Sequence, residues 1–234
     1  MSTSWLTKHT QEICIHSTCQ SQGYSSVDEP ESPQVAISVS ILSKFYQMSI
    51  SPEDKALCEL FIGAFFFCHE ILWRCQSIRQ KKNKTTHPQQ YIRFLKGTRT
   101  INHWDPLLHL ADCVTITFEH QKHDTKNDMI TQHWSSDTTL CPVRIWASIV
   151  QWVHSYSPSS IDSSVNSFLL PKNEIHHFMG TELLKRLYLA MTLLDPDTLG
   201  FTADQIGLHS VRSGAAMAMY LAGDPVFTIM LLSR

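Results

Sequence analysis

Gly207-Leu208-His209-Ser210-Val211-Arg212-Ser213-Gly214-Ala215-Ala216-Met217 is the stretch from which the rest of the chain can be read. His209 and Arg212 are three apart. Where a loop turns into a helix, that spacing puts both side chains on one side of the first turn. The N–H groups left unbonded at a helix start lie beside them. An imidazole, a guanidinium and helix-end donors together form a socket for a phosphate. His-x-x-Arg alone is a weak signal in a chain with 13 His. The glycine before it, the small residues after it, the apolar helix behind and the Gly223-Asp224-Pro225 break give it weight.

Working outward, Arg212 to Leu221 reads as a helix and Pro225 opens another. That last helix leaves Val226, Phe227, Ile229, Met230 and Leu231 short of partners, and a helix of about two turns is marginal alone. Upstream, Thr181 to Leu194 is helical, apolar at Leu183, Leu184, Leu187 and Met191. Phe168 to Pro171 is a short extended piece. Leu140-Cys141-Pro142 starts a helix with Val143, Trp146, Ile149, Val150 and Val153 on its apolar face. Cys113 to Glu119 alternates as a strand. Gln121 to Asp128 is a polar hairpin, Met129 to Gln132 the return strand, and Tyr91 to Leu95 a further strand. Ser51-Pro52-Glu53-Asp54 caps and charges a helix start. Three-four spacing from Leu57 to Cys68 gives that helix one buried face, and its pattern runs to about Arg79. The expected fold is mainly α with a small three-stranded antiparallel sheet, an α+β class. Residues 1–40, rich in Ser, Thr and Gln, read as a polar tail, with a short helix leading in over Ile37 to Tyr46, and 41–234 as the domain.

At 234 residues and 43% hydrophobic content the chain can bury a sizeable core. Its longest apolar run, Leu60 to Cys68, is about half of what a bilayer needs. The N-terminus lacks a basic-then-apolar leader pattern. These features point to an intracellular protein, and the seven irregularly spaced Cys fit reduced thiols. Cys14-x-His16-x-x-Cys19 offers three zinc ligands at a non-standard spacing, so no metal or cofactor is expected. Net charge is −2, yet Ile71 to Trp104 holds no acid. It holds Arg74, Arg79, Lys81, Lys82, Lys84, Arg93, Lys96 and Arg99. Such a run is either a solvated face or a surface for a phosphate backbone.

The order of these pieces carries a resemblance: a helix with an Ala64-Phe65-Phe66-Phe67 core, a sheet with Lys122 in its hairpin, a Cys141-Pro142-Val143-Arg144 helix, then Gly207 to Ala216. From about Leu42 to Arg234 it resembles the catalytic domain of the tyrosine recombinases, the phage-integrase family, in particular the eukaryotic mobile-element members. The resemblance implies DNA cleavage and rejoining through a 3′-phosphotyrosine, without metal. It implies DNA as partner, assembly of copies on DNA, and a nuclear rather than cytoplasmic location. Arg212 matches the second phosphate clamp and His209 the phosphate-binding or proton-transferring His. Lys122 matches the Lys that protonates the leaving oxygen, with Lys126 as its rival.

Three departures limit the expected activity. Glu70 stands near the place of the family's first catalytic Arg, and Arg74, one turn on, substitutes only if the register differs. The nucleophilic Tyr and the family's His or Trp belong beyond Arg234, so the domain is expected to be incomplete there. Tyr220 is too close to Arg212 and is taken to face the packing side of its helix, so it is no replacement. The family's N-terminal clamp domain is absent or replaced by the polar tail. Three readings result: a degenerate domain that still binds DNA, an active recombinase whose sequence is incomplete, or a helical protein-interaction module.

Overall fold

A proline-led and almost wholly buried helix, Pro52–Phe66, is the axis of the fold. The computed structural model describes residues 34–68, 92–120, 126–156, 165–170, 172–194 and 199–232. Before that axis comes α1 (Val39–Gln47), and the axis itself is α2. There follow β1 (Ile92–Lys96), β2 (Arg99–Ile101), a 3-10 turn at Leu108–Leu110, β3 (Cys113–His120) and β4 (Lys126–His133). Then come α3 (Pro142–His154), β5 (Ser167–Leu169), β6 (Ile175–His177) and α4 (Gly180–Thr192). A 3-10 turn at Ala203–Gln205 leads to α5 (His209–Leu221) and α6 (Val226–Leu232). The described chain is about half helical with a small antiparallel sheet, an α+β fold.

Local chemistry explains where α2 begins. The Ser51 hydroxyl accepts the Asp54 N–H at 3.0 Å, Pro52 occupies the first turn, and Glu53 and Asp54 sit at the positive end of the dipole. Its interior departs from the expected single buried face: every residue from Ala56 to Phe65 is buried, because α1, α3 and α5 all pack on it. The end departs too. The helix stops at Phe66, not near Arg79, and Cys68 takes a left-handed φ of 54°. Phe67 is fully buried edge-on to Trp146 of α3, with ring centroids 5.8 Å apart. The Gln132 amide donates to the Phe66 carbonyl at 2.8 Å. These long-range contacts turn the chain where the local pattern would continue it.

α3 lies antiparallel to α2. Trp146 Nε1 donates to the Gly63 carbonyl at 3.3 Å, and further along Ser148 donates to Glu59 at 2.7 Å. Gly63 is needed here, because a Cβ would crowd the Trp146 ring. The sheet has four strands in the order β2-β1-β3-β4, all antiparallel, and not the expected three. β2 pairs with β1 through Phe94↔Ile101 and Lys96↔Arg99. Ile92, Phe94, Val114, Ile116 and Ile130 turn one face into the core. A separate β5-β6 ladder was also unforeseen.

The ordered chain takes in residues before 41. Val35 N–H bonds the Gln205 carbonyl at 2.9 Å, Ile37 N–H bonds the Ser210 carbonyl at 3.0 Å, and Ile37 is in the core. A boundary at 40 therefore falls inside this unit, which begins at Gln34.

Candidate nucleic-acid interface

The small residues around the His-x-x-Arg pair have a packing role. Ser210 is fully buried, and its hydroxyl accepts the Gly207 N–H at 3.0 Å, closing the first turn of α5. Gly214 faces Ile37, and a methyl group there would overlap the Ile37 carbonyl oxygen. This close approach lets the incoming segment lie along α5. It leaves the other side of the turn to His209, which is exposed, and Arg212, which is half-buried.

α5, which carries Arg212 near its start, packs on α2. Burial pushes the Cys68 thiol up to about 11, and the positive charge of Arg212 pulls it back. The cation is thus within electrostatic range of the residue that follows the Phe triplet. Among the described residues no carboxylate pairs with Arg212. The helix-end donors do not join it, because the Ser210 N–H bonds the Gly207 carbonyl at 3.1 Å and the Val211 N–H the Leu208 carbonyl at 3.3 Å. The half-buried guanidinium is the group of this turn that can hold two oxygens of a tetrahedral anion.

The sequence-derived residues divide into three sets. Arg74, Arg79, Lys81, Lys82, Lys84, Lys122 and Glu70 lie outside the described residues. His209 and Arg212 come together at the start of α5. Arg93, Lys96 and Arg99 are all exposed but do not form one surface. Lys96 and Arg99 are cross-strand partners on one face of the β1-β2 hairpin. Arg93, paired with Thr115, is on the opposite face, where its guanidinium donates to the Met129 sulfur at 2.8 Å. The even basic run in the sequence is split by the two-residue period of β1.

Tyr220 corrects an expectation. It is 54% exposed and does not pack. It lies eight residues past Arg212, roughly 12 Å along the helix axis. Val226, Phe227 and Met230 of α6 are exposed as anticipated, whereas Ile229 is buried.

A second group of cations was not foreseen as a group. Arg144, in the first turn of α3, lines an open cleft of about 520 Å³ with Lys96, His133, Trp134, Leu110, Ala111 and Asp112. The only sequence signal for it was an Arg at the third position of an otherwise apolar helix start. Cys58, Cys113 and Cys141 are buried free thiols, and Cys68 is buried as well. Among the described residues no cluster of three His, Cys, Asp or Glu could hold a metal ion, and no helix is long and apolar enough to cross a membrane. No protein-family model and no curated protein sequence matches the chain.

Proposed function

We propose that residues 34–234 form a DNA-binding domain of tyrosine-recombinase type that holds a backbone phosphate without cutting the strand. One observation supports this reading most. α5, which carries Arg212 near its start, packs on α2, and Arg212 is within electrostatic range of Cys68, directly after the Phe triplet. That is where the resemblance would bring two clamping Arg side chains together. Arg212 grips the non-bridging oxygens, and His209 adds a hydrogen bond from the same turn. Lys96 and Arg99, on one face of the β1-β2 hairpin, extend the contact along the backbone, and Lys122 and the remaining basic residues between Ile71 and Trp104 belong to this reading by sequence alone. Glu70, two residues past Cys68, would repel the phosphate that a first Arg attracts, which opposes strand cleavage. Assembly of copies on DNA and a nuclear location belong to the same reading.

The test is a salt titration of duplex binding by gel shift. Arg212→Ala is expected to weaken binding about tenfold and lower the salt slope by about one. A nicked duplex that traps phosphotyrosine adducts is expected to give none. A covalent adduct would refute loss of cleavage. Binding indifferent to salt and to Arg212 would refute the DNA reading.

The exposed apolar side chains of α5 and α6 favour one other reading, a protein-interaction module. Met217, Tyr220, Leu221, Val226, Phe227 and Met230 are all about half exposed or more.

A further inference from the structure

We infer that the cleft at the start of α3 is a second nucleic-acid site, one that takes a single-stranded nucleotide: the phosphate on Arg144 and Lys96, the base against Trp134. The inference rests on the reading of DNA as the partner, but it uses none of the residues of the Arg212 socket.

Three features of the cleft carry it. First, Arg144 Nε is buried and meets no hydrogen-bond acceptor among the described residues. A buried donor left this way is costly, and an incoming oxygen would satisfy it. Among the described residues no carboxylate bonds it. Asp112 is the carboxylate lining the cleft, and its Oδ2 accepts the Gly97 N–H at 2.6 Å, which holds it to the β1-β2 turn. Second, the lining carries two fixed cations, Arg144 and Lys96, against that one carboxylate, and His133 adds ring nitrogens. An anion is the ligand this balance selects. Third, Trp134 is 45% exposed on the wall of the same cleft, next to Leu110 at 42%. An exposed indole beside a guanidinium suits a flat aromatic group joined to a phosphate. At about 520 Å³ the space is within the range of small-ligand pockets, roughly 300–1,000 Å³.

The cleft is rigidly placed. The Asp112 N–H bonds the Leu95 carbonyl and the Trp134 N–H bonds the Asp112 carbonyl, both at 2.8 Å. Ser135 N–H reaches the Cys141 sulfur at 3.4 Å, tying β4 to the start of α3. A base stacked in a duplex cannot present its face to an indole, so the site selects unpaired nucleotides.

The experiment is anisotropy titration of the full chain with a short fluorescein-labelled thymidine oligonucleotide, with a matched duplex and a poly-glutamate peptide as competitors. Arg144→Gln and Trp134→Ala are each expected to weaken single-strand binding roughly tenfold, while Arg186→Ala, whose guanidinium pairs with Asp54, leaves it within about twofold. Because Arg144 is half-buried, Trp134→Ala, at an exposed position, is the variant free of folding effects. Poly-glutamate is expected not to displace the oligonucleotide at equal charge. Unchanged oligonucleotide binding by Trp134→Ala, or displacement by poly-glutamate, would overturn the site. Duplex binding that depends on Arg212 would stand even if single-strand binding failed, so the two proposals fail separately.

Discussion

At the N-terminal end of α2, Arg186 of α4 pairs with Asp54, and Lys55 lies 3.8 Å from the buried Glu59. Toward the C-terminal end, α5 brings Arg212 and the antiparallel α3 begins with Arg144 in its own cleft, and among the described residues neither has a carboxylate partner. Both ends belong to one helix and both draw in Arg side chains. The first end neutralises its charges within the chain, as a structural joint does. The second leaves two guanidinium groups without such a partner among the described residues, which is what the two proposed sites rest on. A half-buried cation without an internal anion is expensive to keep, so its retention at one end only points to where an external anion belongs.

The contrast can be broken most severely through the core beneath the open end. Phe67→Ala removes the ring that packs on Trp146 and should cost about 3–5 kcal/mol. Urea denaturation reads the loss, and a cost under about 1 kcal/mol would mean that this end is not anchored as described. Next in size, Arg212→Ala should lose about 1.4 kcal/mol of duplex affinity, while Arg186→Ala should lose none. Equal losses would erase the distinction between the two ends. The cap at the closed end comes third: Ser51→Ala should destabilise by about 1 kcal/mol, read as a lower Tm with DNA binding unchanged.

Glu59 supplies a pH test of the closed end. Burial raises its carboxyl from 4.5, and the Ser148 hydroxyl and Lys55 pull it back. Between 4.5 and the raised value the folded chain keeps a proton that the unfolded chain releases. This group therefore makes stability fall as pH climbs through that window. Glu59→Gln should flatten this part of the pH profile, seen in denaturation midpoints at mildly acid and neutral pH. An unchanged slope would mean that Glu59 is effectively solvated. The smallest effect is expected from Arg186→Ala on stability, about 0.2–1 kcal/mol, since the pair is partly exposed and screened.

What could be read beforehand follows the range of the interactions. The start of α2 was visible because Ser51, Pro52, Glu53 and Asp54 act within one turn. Its end was not, because Gln132 and Trp146 set it from far along the chain. β3 was legible from its alternation and the middle of β4 as its return strand, but β4 already begins at Lys126, inside the stretch read as a hairpin, because pairing with β3 extends it. β2 was missed because Arg99-Thr100-Ile101 is a short edge strand with one apolar residue. His209 and Arg212 could be paired from spacing alone. Arg144, Lys96 and Trp134 come from three separate elements, and only the docking of α3 on the end of the sheet brings them to one cleft.

The backbone bonds from Val35 to Gln205 and from Ile37 to Ser210 also bear on the order of events during synthesis. They join the first and last parts of the described chain, so their loop-closure cost falls due late. α2, the sheet and α3 can assemble as the chain emerges, but the seat for α5 is completed only when Gly207 to Gly214 has been made. A ribosome stalled before that point would carry a partly built core that has no His209–Arg212 pair, and protease protection of residues 35–37 would arise only after α5 is released.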